Sequence, residues 1–191
     1  MKHTVVALVE DRPGVLTRIA SLFRRRGFNI DSLAVGKTEQ RGISRMTIVV
    51  DGDDGIVQQV EHQLYKLIDV IKVSDLTGED AVMRELALIK VRCDALSRRE
   101  VLDLVEIFRA QIVDVSPTSL VIQLVAEEDR LDALVENLQP YGVMEMVRTG
   151  RVAIARGERI EAAPEAEPSE IERFHTESGR RPEGVLPYVS K

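Results

Sequence analysis

One cysteine stands in the 191 residues, so the chain builds neither an intrachain disulfide nor a cysteine metal cluster. Cys93 ends an apolar run and reads as a small core residue. Tryptophan is absent and aromatic residues make up 4%, leaving few rings on which bases could stack. No run approaches the roughly 20 apolar residues of a membrane span. The N-terminus lacks the basic, apolar, small-residue order of an export signal, so the cytoplasm is the expected compartment. The glycines form neither G-x-G-x-x-G nor G-x-x-x-x-G-K-[ST], and no serine, cysteine or histidine constellation argues for nucleophilic catalysis. His3, His62 and His175 lie in different elements without acids or thiols at ligand spacing, so no metal is expected. Asp51, Asp53 and Asp54 lack the distal Glu of a calcium loop and read as a solvated turn. A formal net charge of -6 disfavours a broad grip on nucleic acid or anionic membrane.

What is present is a well-patterned globular sequence, 44% hydrophobic and 30% charged. Residues 4–9 predict a strand and residues 15–26 a helix, with Leu16, Ile19, Ala20 and Phe23 on one face. Gly27 stops that helix, residues 29–38 and 44–50 predict a hairpin, and Gly52-Asp53-Asp54 opens a second helix carrying Val57, Val60, Leu64 and Leu67. A strand at 70–73 closes the set. This order is the split βαβ, ferredoxin-like arrangement, four antiparallel strands covered on one face by two helices. A similar order follows: a strand at 85–91, a helix opened by Ser97-Arg98-Arg99-Glu100 as a capping box, strands at 111–115 and 120–125 broken by Pro117, a helix at 129–138, and a strand from 143 to 147 running toward Ile154. The second half's first helix carries Val101, Leu104, Val105 and Phe108. The fold class is therefore α+β: two ferredoxin-like βαββαβ domains, 1–78 and 79–157, with a tail at 158–191 whose prolines and acids predict disorder. The N-terminal half would leave a sheet face or edge open, so dimerisation is expected.

The loop Asp11-Arg12-Pro13-Gly14-Val15-Leu16 falls at the mouth of the first helix. Free backbone N–H groups and the positive end of the helix dipole suit such a mouth to a carboxylate. Pro13 fits the first turn because its missing N–H has no partner there, and Gly14 has no side chain to hold a ligand away from the backbone. An ordinary capped helix start, with Asp11 as cap, reads equally well from these residues alone. Arg24-Arg25-Arg26 complements the dipole at the other end of the helix, with contact to a partner as the second reading.

Taken with Arg25-Arg26-Gly27-Phe28-Asn29-Ile30-Asp31-Ser32-Leu33, Ser44-Arg45-Met46-Thr47-Ile48 and Gln63-Leu64-Tyr65-Lys66-Leu67, this loop closely resembles the regulatory (small) subunit family of acetolactate synthase, also called acetohydroxyacid synthase. Arg84 to Val91, Ile107-Phe108-Arg109-Ala110, Ile112-Val113-Asp114-Val115, Gly150-Arg151-Val152 and Arg156-Gly157 extend the resemblance through roughly residues 3 to 157, and the ordered series is more specific than the loop alone. The resemblance implies an N-terminal ACT domain, a second ferredoxin-like domain, a homodimer through the ACT domains, and assembly on a separate catalytic (large) subunit. That partner would hold thiamine diphosphate, Mg and FAD, with no cofactor on this chain. It also implies activation of the partner and feedback inhibition by valine, in the service of branched-chain amino acid biosynthesis. Carried over residue by residue, the N–H groups of Gly14 and Val15 would receive the effector's carboxylate, and Asn29 and Ile30 of a neighbouring copy would complete the pocket. Many relatives have an amide at the position of Asp11; an ionised Asp11 would repel a carboxylate and turn toward the effector's ammonium.

Other uses of the fold fit less well. RNA-recognition domains share the element order but stack bases on aromatics, and residues 4–9 and 44–50 contain none. A free-standing ACT regulator of another enzyme or a transcription system would keep the loop without reason for the matching second half. An acylphosphatase-type enzyme would need a phosphate loop that is not found.

Overall fold

The computed structural model describes residues 1–157, so the expected tail at 158–191 lies outside the described residues. The first half runs β1 (Lys2–Glu10), α1 (Val15–Arg26), β2 (Ile30–Lys37), β3 (Ile43–Asp51), α2 (Asp54–Leu64) and β4 (Val70–Asp75). Its sheet is antiparallel in the order β2-β3-β1-β4. Alternation decides the core: Val5, Ala7 and Val9 of β1 and Met46, Ile48 and Val50 of β3 face the helices, where they pack with Val57, Val60 and Leu64 of α2. Helix α1 has the expected bounds but a different buried stripe. It buries Val15, Ile19, Leu22 and Phe23, while Leu16 is 45% exposed and Ala20 also faces out. Two overlapping stripes share Ile19 and Phe23. The one that adds Val15 and Leu22 removes more apolar surface from water than the one that adds Leu16 and Ala20. At the far end Gly27, at φ +72°, donates to the Arg24 carbonyl and lets the Phe28 N–H reach the Phe23 carbonyl at 3.0 Å. The Phe28 ring then meets Phe23 edge-on, with centroids 5.8 Å apart.

The second half runs β5 (Ala81–Arg92), α3 (Arg98–Ile107), β6 (Gln111–Val115), β7 (Ser119–Ala126), α4 (Glu128–Leu138), β8 (Val143–Arg148) and β9 (Val152–Ala155). Ile89, Val91, Cys93, Val101, Ile122, Leu131 and Leu134 form its core. The expected capping box does not form. Ser97 stands at the N-cap position of α3 with helical backbone and no side-chain cap bond. The Asp94 carboxylate instead accepts the N–H groups of Leu96 (2.9 Å) and Ser97 (2.8 Å). Those bonds, with one from the Ser97 hydroxyl, hold the Asp94 carboxyl below its usual range. The expected run of the last strand toward Ile154 is also broken. Gly150, at φ +80°, turns the chain, and β9 pairs with residues 81–84 of β5 while β8 pairs with residues 87–91.

This break changes the surface of the first half. The expectation of an open helix-free face there is overturned, because the β5–β9 ribbon lies across it. Val6 of β1 and Leu76 are buried with Ala153, and Ala81, Met83 and Ala155 pack around them. Alanines at three of these places let the ribbon approach the sheet closely. Arg45 of β3 donates to the Ala153 carbonyl at 2.8 Å, and Thr4 of β1 lies 1% exposed. The edge strand β2 stays unpaired on its outer side among the described residues.

Candidate functional site

The mouth of α1 is built by a loop pinned at one point. Asp11 N–H donates to the Gly42 carbonyl in the β2–β3 hairpin at 2.8 Å, which fixes where the chain leaves β1. The helix then begins at Val15 with Gly14 as its N-cap, at φ +89° and ψ -10°, and no side chain caps it. Asp11 is therefore not the cap, and Pro13 lies in the turn before the helix rather than in its first turn. The first turn holds no acid. Arg18 N–H closes the first helical bond to the Gly14 carbonyl at 3.0 Å. The N–H groups of Leu16 and Thr17 have no carbonyl four residues back within the helix, so the positive end of the dipole is left open to a ligand.

Each of the five residues singled out in the sequence has a definite place. Asp11 and Gly14 are exposed at the mouth. Val15 is buried against the core, and its N–H makes a long 3.4 Å turn bond to the Arg12 carbonyl. That amide is thus partly occupied within the loop. Asn29 is exposed and Ile30 half-buried against the core, both beyond Gly27 at the far end of α1. The twelve residues of α1 separate the two groups by about 18 Å. One chain does not bring them together; a mouth lined by both needs a second copy.

The remaining candidates resolve simply. Asp53 caps α2 by accepting the Ile56 N–H at 2.9 Å, and Asp51 pairs with the N-terminal ammonium at 3.0 Å. His3 is buried, with Asp54 at 3.9 Å and Asp75 at 4.0 Å, so it has acid neighbours in space that its sequence surroundings did not show. Among the described residues no group of three or more His, Cys, Asp or Glu side chains is placed to hold a metal ion, and no helix is long and apolar enough to cross a membrane. Residues that sequence reasoning passed over lie between the two halves, around a cleft of about 450 Å3 lined by Lys2, Asp31, Ser32, Glu128, Gly150 and Arg151 among others. Asp31, Ser32, Gly150 and Arg151 entered the sequence reading only within the motifs that carry the family resemblance, with no site role attached.

A βαββαβ sandwich with a glycine-capped, unblocked first helix, followed by a second sandwich, is the architecture of an ACT-domain chain. Residues 6–72 match the family described as the AHAS small subunit-like ACT domain, and residues 84–157 match the small subunit of acetolactate synthase. The chain belongs to the acetolactate synthase small-subunit family. It is 54% identical over 159 residues to a probable acetolactate synthase small subunit of Archaeoglobus fulgidus, covering 83% of this chain and 99% of that one. It is 52% identical over 157 residues to the acetolactate synthase small subunit of Mycolicibacterium smegmatis, covering 82% and 92%. The crystal structure of the small subunit from Thermotoga maritima is similar at a TM-score of 0.77 and 43% identity, over 83% of this chain and 99% of that one.

Proposed function

We propose that this chain is the valine-responsive regulator of a thiamine-diphosphate-dependent acetolactate synthase. It raises the activity of a separate catalytic chain and lowers it again when valine binds across a dimer of ACT domains. The observation that carries this reading is the uncapped mouth at Gly14 together with the placement of Asn29 and Ile30 at the opposite end of the same helix. Two copies joined along β2 would set the far end of one α1 beside the mouth of the other. The open outer edge of β2 supports that pairing.

In the proposed pocket the valine carboxylate meets the Gly14 amide and the helix dipole, while the partner copy's β2 start supplies the wall. Asp11 faces the ammonium, since an ionised carboxylate is repelled by a second one. The chemistry belongs to the catalytic chain, which would hold thiamine diphosphate, Mg and FAD. Regulation is then linkage: valine favours one arrangement of the ACT dimer, and the catalytic chain binds or turns over differently on it. A coupling of about 1 to 3 kcal/mol changes affinity roughly 5 to 150-fold, in both directions. Mixing the purified protein with the catalytic subunit from the same cell and measuring acetolactate formation tests the proposal. Activation that valine reverses is expected; a catalytic chain indifferent to the added protein would overturn it.

A further inference from the structure

Strand β2, whose start supplies the proposed effector wall, is fastened to the second half of the molecule by a closed ring of polar contacts. Asp31 pairs with the Lys2 ammonium at 2.9 Å, and Lys2 also binds the Glu128 carboxylate at the first turn of α4. The other Glu128 oxygen takes the Arg151 guanidinium, which also donates to Thr4 Oγ1 at 2.8 Å. The Arg151 backbone N–H returns to β2, donating to Ser32 Oγ at 2.9 Å. The ring thus starts at Asp31 and ends at Ser32, its neighbour.

Two features single this ring out from simple glue. The β2–β3 ladder shifts register between Ile30 and Ser32, so Asp31 sits in an irregularity that re-aims its side chain. The backbone of Gly150 also comes so close to β2 that an added Cβ would lie 2.6 Å from Ser32 Oγ, and its φ of +80° favours glycine besides. The alanine ribbon already joins the halves by apolar contact, but at β1 and Leu76 rather than at β2. The ionic ring adds a connection to the one strand that begins with Asn29 and Ile30. Lys2 holds the Glu128 carboxyl below its ordinary range, and Glu128 with Asp31 holds the Lys2 ammonium above its own, as expected of groups that keep their charges facing one another.

We infer that the Asp31–Lys2–Glu128–Arg151–Ser32 ring is the element that carries effector occupancy at the start of β2 into the second domain. This inference rests on the valine reading above. Displacement of Asn29 and Ile30 on binding would pull the Asp31 irregularity, and the ring would pass that movement to the first turn of α4 and to the β8–β9 connection. The ring positions these elements; it does not form the pocket.

Hydrogen exchange on the full chain, with and without saturating valine, tests this directly alongside calorimetry. In the wild type, valine should give heat and slow exchange at residues 128–131 and at Arg151 by about tenfold. In Glu128→Gln the heat should persist while the response at those amides falls to less than about twofold. Ser32→Ala, which deletes only the hydroxyl that accepts from the Arg151 N–H, should lose the response at Arg151 and covers the case in which Glu128→Gln does not fold. Heat with protection confined to residues 11–33, or variants that respond like the wild type, would overturn the ring while leaving the valine site standing. Absence of heat in the wild type would overturn the site itself and the ring with it.

Discussion

At Gly14 the backbone occupies the left-handed region with nothing within 4 Å of where a Cβ would stand, so the obstacle to a side chain there is conformational and not steric crowding. An L residue in that region costs roughly 1–2 kcal/mol. A carboxylate added there would also occupy the anion-attracting mouth. Gly14→Asp should therefore abolish valine inhibition while leaving activation of the catalytic chain largely intact; unchanged inhibition in the mutant complex would refute the site. Glu128 makes a second single-residue prediction. Because Lys2 depresses its folded-state pKa, its contribution to stability is present above the ordinary value of 4.5 and lost as pH falls through the lower folded value. Urea unfolding should show Glu128→Gln less stable by about 1–2 kcal/mol at neutral pH, with the gap closing as pH is lowered below that range. A gap independent of pH would contradict the pairing. Of the residues themselves, Gly14 was legible as part of a helix entrance because it stands just before an apolar helical period, a pattern that an ordinary helix start shares. Ser32 and Glu128 were not: a serine in a strand and an acid in a first turn are ordinary until the fold sets them against Arg151.

The elements were readable wherever period and punctuation agreed. Helix α1 and strand β6 begin and end where Gly27, Pro117 and the apolar spacing place them. The misreadings have one cause, competition between local pattern and tertiary contact. Leu16 and Ala20 satisfy helical spacing, but the sheet buries more by taking Val15 and Leu22. The Ser97 box fits its motif, but Asp94 arrives first from the preceding loop. The β5–β9 ribbon was invisible because its partner face, Val6 and Leu76, lies far away in the chain, and four residues of VAIA look like the end of a longer strand. The ribbon makes its own prediction. Ala153 is 6% exposed against Val6 and Leu76, so Ala153→Leu should overpack that layer and lower unfolding stability by about 1–3 kcal/mol in a denaturant titration. A neutral result would mean that the ribbon lifts freely off the sheet.

On the scale of the whole molecule, both sandwiches are closed on their helical sides and the ribbon packs on the other face of the first, and the proposed dimer joins through the open edge of β2. Val35 on that strand is 49% exposed. Val35→Asp should shift the protein toward monomer in sedimentation and weaken valine binding with it, since the proposed pocket needs both chains. A stable dimer that keeps its valine response would point to another interface. The family match ends at residue 157. Truncation after Gly157 is accordingly expected to preserve activation and feedback in the reconstituted enzyme.

Isothermal calorimetry of the intact protein with valine, leucine and isoleucine is the most direct measurement of all, because it asks about the mouth of α1 without the catalytic chain. Saturable heat with at least one of the three, lost in Gly14→Asp, is the predicted result. No heat with any of them would contradict the account at its root.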